Sequence, residues 1–206
     1  KAREAFDLDR EDPKLRDRYC PANDKYIYVE TEANTQWESS KFLLARRLAE
    51  AGVPAITLRA GGWDHHGNVV SSFGGTIWQS LKSMLPLLDR SIYMLVNDLH
   101  DRGLNNEIAV LVWGEFGRTP KIALNGRDHW PEASFALFAG GGMRMGQVIG
   151  ETDARAEYPT SKPYSPGCVL STIYHSLGID YKHVFYDQAQ RPLPVLNEGK
   201  PIPELI

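Results

Sequence analysis

Cysteine is nearly absent: Cys20 and Cys168 are the only two, far apart and without the C-x-x-C spacing of a metal or redox pair. They could pair in an exported protein, but two thiols make no disulfide framework, so the fold must rest on packing. Long apolar runs are missing too. No stretch approaches the roughly 18 residues that read as a membrane-spanning helix. Basic charge is not in excess either: the net charge is -3, which excludes the basic stripe of a nucleic-acid-binding surface. There is no phosphate-cradling P-loop, no dinucleotide fingerprint and no G-x-S-x-G elbow, and neither cysteine is flanked by a base. The sequence therefore offers no nucleophile of its own. Gly140, Gly141 and Gly142 lack the fingerprint spacing and read as a tight turn, with an oxyanion-facing role as the alternative. The opening KAREAFDLDREDPKLRDRY, from Lys1 onward, is charged and helix-like with no initiator Met or signal peptide, so a fragment or processed form is expected.

What is present fits an ordinary globular domain. Of 206 residues, 42% are hydrophobic and 24% charged, enough to bury a substantial core. Residues 1–35 read as a lead-in, helical to about residue 19 and irregular after it. From Trp37 to Ala51, Phe42, Ala45, Leu48 and Ala49 recur at helical spacing, and Gly52 stands where a helix stops. Val53 to Leu58 reads as a short buried strand. A long helix carries Leu81, Leu85, Leu88, Ile92, Leu95 and Leu99 on one stripe, with Gly103 closing it. Ile108 to Trp113 is a continuous apolar run of the kind covered on both faces in a parallel sheet. Ser134 to Ala139 reads as another strand, and residues 150–167 as a surface loop. Ser165-Pro166 forms an N-cap and first-position pair for a helix ended by Gly178. The tail 183–206 is Pro-rich and is expected to wrap the surface. Alternating strands and amphipathic helices predict an α/β fold: a layered α/β/α domain with a mostly parallel sheet, and ligands beyond the carboxyl ends of its strands.

Two loops at such strand ends, and a third further on, hold unusual chemistry. In Trp63-Asp64-His65-His66-Gly67, flanking glycines let the backbone bend so that Asp64 and His66 can converge as oxygen and nitrogen donors for Zn²⁺ or a similar ion. The plainer reading has Asp64 capping Gly67 or Asn68 and the histidines solvated, and the turn alone does not choose between them. Glu115 follows the most hydrophobic strand directly. It either ligates a metal, leaving Arg118 to hold an anionic group, or forms a structural ion pair with Arg118. In Gly126-Arg127-Asp128-His129-Trp130-Pro131, His129 can ligate while Asp128 orients a ring; alternatively His129 simply packs beside Trp130. The loop lies before a strand, so a site role requires that strand to run antiparallel or the loop to fold back. Arg127 is a second possible clamp. His100, His175 and His183 are weaker candidates, His100 reading as solvated and His175 as packing in the core or at the surface, while His65 is ambiguous, since a residue adjacent to His66 would normally point away from it.

Taken together, GGWDHHGN, WGEFGRTP, NGRDHWP, FALFAGGG and STIYHSLGID resemble, in order and over nearly the whole chain, the domain-of-unknown-function 1501 family of bacterial exported proteins. That family looks like a branch of the alkaline-phosphatase and sulfatase superfamily. The resemblance implies that residues 1–206 are the C-terminal part of one alkaline-phosphatase-like domain, incomplete at its N-terminus, from a periplasmic or secreted protein. It implies metal ligands at Asp64, His66, Glu115 and His129, with Arg118 and Asp128 in the catalytic machinery. The divalent ion would be Zn, or alternatively Ca, Mg or Mn. Phe116 stands where the superfamily has a histidine. The expected activity is hydrolysis of a phosphate or sulfate ester, small or polysaccharide, with the nucleophile supplied from outside these residues. A phosphomutase-like transferase and a non-catalytic metal-binding surface protein are the alternatives. Neither nucleic acid nor a membrane span is expected, and the sequence leaves the oligomeric state open.

Overall fold

The computed structural model describes residues 2–21, 24–27, 34–66 and 76–206, with the side chains of 34 and 35 excepted. In chain order its elements are α1 (Ala2–Ala5), a 3-10 turn (Leu8–Arg10), α2 (Pro13–Tyr19), β1 (Lys25–Ile27), β2 (Asn34–Gln36), α3 (Ser40–Glu50) and α4 (Ile77–Asp101). There follow β3 (Ala109–Trp113), β4 (Gly117–Arg118), β5 (His129–Trp130), β6 (Ala136–Gly140), β7 (Glu151–Thr152), β8 (Pro159–Ser161), α5 (Pro166–Ser176), β9 (Val184–Tyr186) and β10 (Pro192–Pro194). The chain divides into two compact units, 1–102 with 118–130, and 103–117 with 131–206.

The expectation of a layered, mostly parallel sheet is overturned. Every sheet among the described residues has two strands, and the registers of β1–β2, β3–β6, β7–β8 and β9–β10 are all antiparallel. The apolar pattern did locate β3 and β6. It could not reveal that β3 finds its partner in β6, with Leu111 opposite Phe138 and Trp113 opposite Ala136. With a single neighbour, β3 is not covered on both faces: Trp113 is 42% and Leu137 40% exposed. Val53 to Leu58, expected as a buried strand, forms no strand. Its apolar run is too short to separate strand from other extended backbone without a partner to pair with.

Helix α4 organises the first unit. Its start is a capping box, in which the Thr76 hydroxyl accepts from the Gln79 amide at 3.3 Å and the Gln79 side chain accepts from the Thr76 amide at 2.9 Å. Gly103 follows its last turn at φ +72, as expected of a left-handed stop. The buried stripe is Ile77, Ser80, Met84, Leu87, Ser91, Met94, Leu95, Asp98 and Leu99. Leu95 and Leu99 bury as expected, whereas Ser80, Met84, Leu87 and Ser91 bury one residue, or about 100°, before the expected Leu81, Leu85, Leu88 and Ile92, and Leu85 is 49% exposed. Polar groups caused the error, because three of the buried positions are polar and satisfied. Ser91 accepts the Trp37 indole N–H at 3.0 Å, Ser80 meets His65, and Asp98 meets Tyr19, Arg46 and Arg102. Helix α3 packs on α4 and buries Phe42, Leu43 and Ala45, and α2 contributes the buried Tyr19. The lead-in is thus largely helical and anchored, and the segment read as irregular contains the β1–β2 hairpin.

In the second unit, Val169 of α5 packs with Ile202 and Leu205, and Leu111, Phe138 and Ile173 close around them. The tail is therefore core as well as wrapping, since its last apolar residues bury. Polar ties hold it: Ile202 N–H donates to the Thr172 hydroxyl at 2.9 Å, and Arg144 donates to the Pro203 carbonyl at 2.7 Å. The Glu204 carboxylate meets Lys162 Nζ at 2.5 Å and accepts the Tyr164 hydroxyl at 2.7 Å. Lys162, then Tyr164, hold Glu204 well below its ordinary 4.5, at about 2, and the same contact pushes Tyr164 up to about 12. A carboxyl group held low stabilises the fold fully above its unfolded pKa and ceases to do so as pH falls through the folded value. Glu204→Gln should accordingly be less stable than the parent at neutral pH. In denaturant titrations that difference should shrink from about pH 4.5 downward and vanish near pH 2. A difference constant across that range would show that the ion pair contributes nothing.

Both cysteines are free thiols. Among the described residues, no helix is long and apolar enough to cross a membrane.

Candidate metal centre

Two loops of the first unit bring three donor atoms together. The first runs from Ala60 to His66, after the extended segment that follows α3. The His65 amide donates to the Trp63 carbonyl at 3.0 Å, which makes a tight turn about Asp64. Gly61 sits at φ +74, where a Cβ would come 2.6 Å from Met84 and 3.0 Å from Trp37, so only glycine fits. The second loop, 119–128, joins β4 to β5. Its Thr119 amide donates to the Asp128 carbonyl at 2.9 Å, and the Asp128 amide donates to the Thr119 hydroxyl at 3.1 Å. The loops are tied to each other, since the Arg127 amide donates to the His65 carbonyl at 2.7 Å.

The outcome is a triangle. Asp64 Oδ1 lies 2.8 Å from His66 Nε2 and 3.1 Å from His129 Nε2, and the two imidazole nitrogens are 3.0 Å apart. Asp64, His66 and His129 thus form a group that could hold a metal ion. Donors bound to one small divalent ion at about 2.0–2.2 Å, separated by right or tetrahedral angles, stand roughly 2.8–3.6 Å apart, a range that includes these edges. All three side chains are between 37% and 49% exposed, so the triangle opens to solvent.

Proton placement sharpens the point. His66 Nδ1 is 2.8 Å from Asp128 Oδ1, and a carboxylate can only accept, so Nδ1 carries the hydrogen. Nε2 of the same ring faces the Asp64 carboxylate and the His129 nitrogen, with Arg118 Nη1 3.4 Å away. A carboxylate on the far nitrogen of a histidine is also the common support of a metal-ligating ring. Arg118 completes the surroundings: it donates to Asp64 Oδ1 at 2.5 Å and to the Arg127 carbonyl at 3.2 Å. That hydrogen bond is the main reason the Asp64 carboxyl is held at about 2. Partial burial opposes it and His129 assists it, so the donor is ionised at any working pH.

Of the residues singled out by sequence, Asp64, His66, Arg118, Asp128 and His129 meet here. Glu115 lies in the second unit, exposed and outside the triad, so the desolvation expected of it after an apolar strand does not arise. The antiparallel course required of the strand after His129 is found in β6. Arg127 spends its guanidinium on the carbonyls of Arg118 and Thr119, bracing the loop instead of facing a ligand. His100 is exposed beside Asp101, His175 lies exposed on α5, and His183 packs edge-on to Phe185. The alternative in which Asp64 caps Gly67 or Asn68 falls outside the described residues. Sequence reasoning missed Thr119, which pins Asp128, and the buried anchoring of His65. The only signal for His65 was its place between two donors.

No curated protein and no solved structure matches the chain. The family described as Protein of unknown function (DUF1501) matches residues 1–206. With the whole chain matched, the chain belongs to the DUF1501 family.

Proposed function

We propose that Asp64, His66 and His129 hold a catalytic divalent ion, and that the protein is a metal-dependent hydrolase of phosphate or sulfate esters. The observation carrying this reading is the donor triangle, in which His66 Nε2 and His129 Nε2 lie 2.8 Å and 3.1 Å from Asp64 Oδ1. A two-nitrogen, one-oxygen donor set suits Zn²⁺ first, with Mn²⁺ or Mg²⁺ less well matched to imidazole. Three protein donors on an open face leave coordination positions free, as catalytic sites do and closed structural sites do not. When bound, the ion would polarise an ester oxygen and offset developing negative charge. The chain's own groups do the rest. Asp128 orients the His66 ring, and Arg118 keeps Asp64 ionised while placing a guanidinium where an anionic oxygen would approach.

One observation favours a second reading. The triad links the 60–66 and 119–128 loops, so an ion there could merely brace them. The experiment that separates the two is a panel of aryl phosphate and sulfate esters incubated with the zinc-loaded protein in a form that also carries the nucleophile which the family resemblance places outside residues 1–206. Cleavage that disappears on chelation, and in Asp64→Ala, is the expected result. Stoichiometric zinc without turnover of any ester would favour the brace.

A further inference from the structure

We infer that His65, between two of the proposed donors, is the positioning residue of the site: its buried ring fixes the geometry through which Asp64 and His66 share an ion. The inference rests on the metal-binding reading above and adds a residue that never touches the ion.

Adjacent side chains in an extended loop point to opposite sides. Asp64 and His66 are half-exposed at the triangle, while His65 turns inward and is 3% exposed. A buried imidazole without partners would cost stability, yet a small apolar side chain could have filled the space. Instead its Nε2 is 2.7 Å from the hydroxyl of Ser80, a residue in the first turn of α4 with no exposed surface. The Trp63 ring stands edge-on to the imidazole, with centroids 6.1 Å apart.

The backbone of His65 does as much as its ring. Its amide closes the turn about Asp64, and its carbonyl receives the Arg127 amide, one residue before Asp128 and two before His129. The second loop is referenced to the same helix turn from its other end, where the Ile77 amide donates to the Asn125 carbonyl at 2.8 Å. Both donor loops are therefore located against the first turn of α4, one through the His65 ring and the other through the His65 carbonyl and Asn125. Loss of the ring contact would free the 63–66 turn to rotate. Donors about 3 Å apart tolerate little rotation before they cease to face one ion, and supporting contacts of metal ligands are commonly worth about 10–100-fold in affinity.

The test is zinc affinity by competition with a chromogenic chelator, together with the visible absorption of the cobalt-substituted protein, on the whole 206-residue chain. His65→Ala should lower zinc affinity by about 10–100-fold and change the cobalt band. Gln places an amide nitrogen roughly where Nε2 stands, so His65→Gln should recover most of both. Ser80→Ala removes the partner while leaving a helix-compatible residue, and should reproduce the loss in milder form even if His65→Ala folds poorly. Parent-like affinity and cobalt spectrum in both Ser80→Ala and His65→Ala would overturn the inference. Equal losses in His65→Gln and His65→Ala would do the same, because the hydrogen bond would then be irrelevant. If the parent chain itself bound no zinc, the metal reading would fall first, and the positioning role with it.

Discussion

Replacing Arg46 with alanine should destabilise the first unit by about 3–5 kcal/mol, the cost of leaving buried charges without their partner. Arg46 is 2% exposed and sits at the hub of a six-residue ion network. It meets Glu11 at 2.5 Å, Glu50 at 2.6 Å and Asp98 at 2.7 Å. Arg47 also reaches Glu11, at 2.9 Å, and Arg102 reaches Asp98 at 2.8 Å and Glu50 at 3.0 Å. The Tyr19 hydroxyl donates to Asp98 at 3.0 Å, and burial beside that carboxylate pushes its pKa well up. Burial also acts to raise Glu11, but the Arg46 and Arg47 guanidinium groups outweigh it and hold Glu11 below its ordinary value. Three carboxylates and three guanidinium groups balance, so deleting the buried central cation leaves Glu11, Glu50 and Asp98 to share only Arg47 and Arg102, with one negative charge in excess. Urea denaturation followed by tryptophan fluorescence would measure the effect, since Trp37 is buried in this unit. Lys41→Ala, which breaks an exposed pair with Glu38, should change stability by less than about 1 kcal/mol. Similar small changes in both variants would mean that the network is surface-like in energy.

The second large effect concerns the donors themselves. Asp64→Ala, His66→Ala and His129→Ala should each abolish stoichiometric zinc retention, because three donors are the fewest that leave an open site firmly held. Asp128→Asn should be intermediate. An amide can still accept from His66 Nδ1, but it provides no charge, and a loss of about 10–100-fold is expected. Elemental analysis after gel filtration would rank the four variants. Full retention in any of the three alanine variants would remove that residue from the donor set.

The sequence revealed the local signals and hid the partners. Helices α3, α4 and α5 were legible from periodicity, with the stops at Gly52, Gly103 and Gly178 all at positive φ. Sheet architecture was not, because an apolar run such as Ile108 to Trp113 does not say whether its neighbour is parallel, or how many neighbours it has. The face of α4 was legible at Leu95 and Leu99 but misjudged in its first four turns for a related reason. Leucine positions predicted the stripe, whereas Ser80, Ser91 and Asp98 bury through contacts with His65, Trp37 and Arg46 that no periodicity encodes. At the site, residue types and glycine-rich turns were enough to nominate Asp64, His66 and His129. The same reasoning nominated Glu115, which is exposed and is not part of the group formed by Asp64, His66 and His129. Arg118 was expected beside Glu115 or an anion, and its partner proved to be Asp64.

X-ray absorption at the zinc edge of the loaded protein addresses the central claim most directly. Three side chains from two separate loops converging on a single cation predict one ion per chain, with scattering from two imidazole rings and at least one oxygen. A first shell with fewer than two imidazoles, or one dominated by sulfur, would place the ion elsewhere and contradict the account.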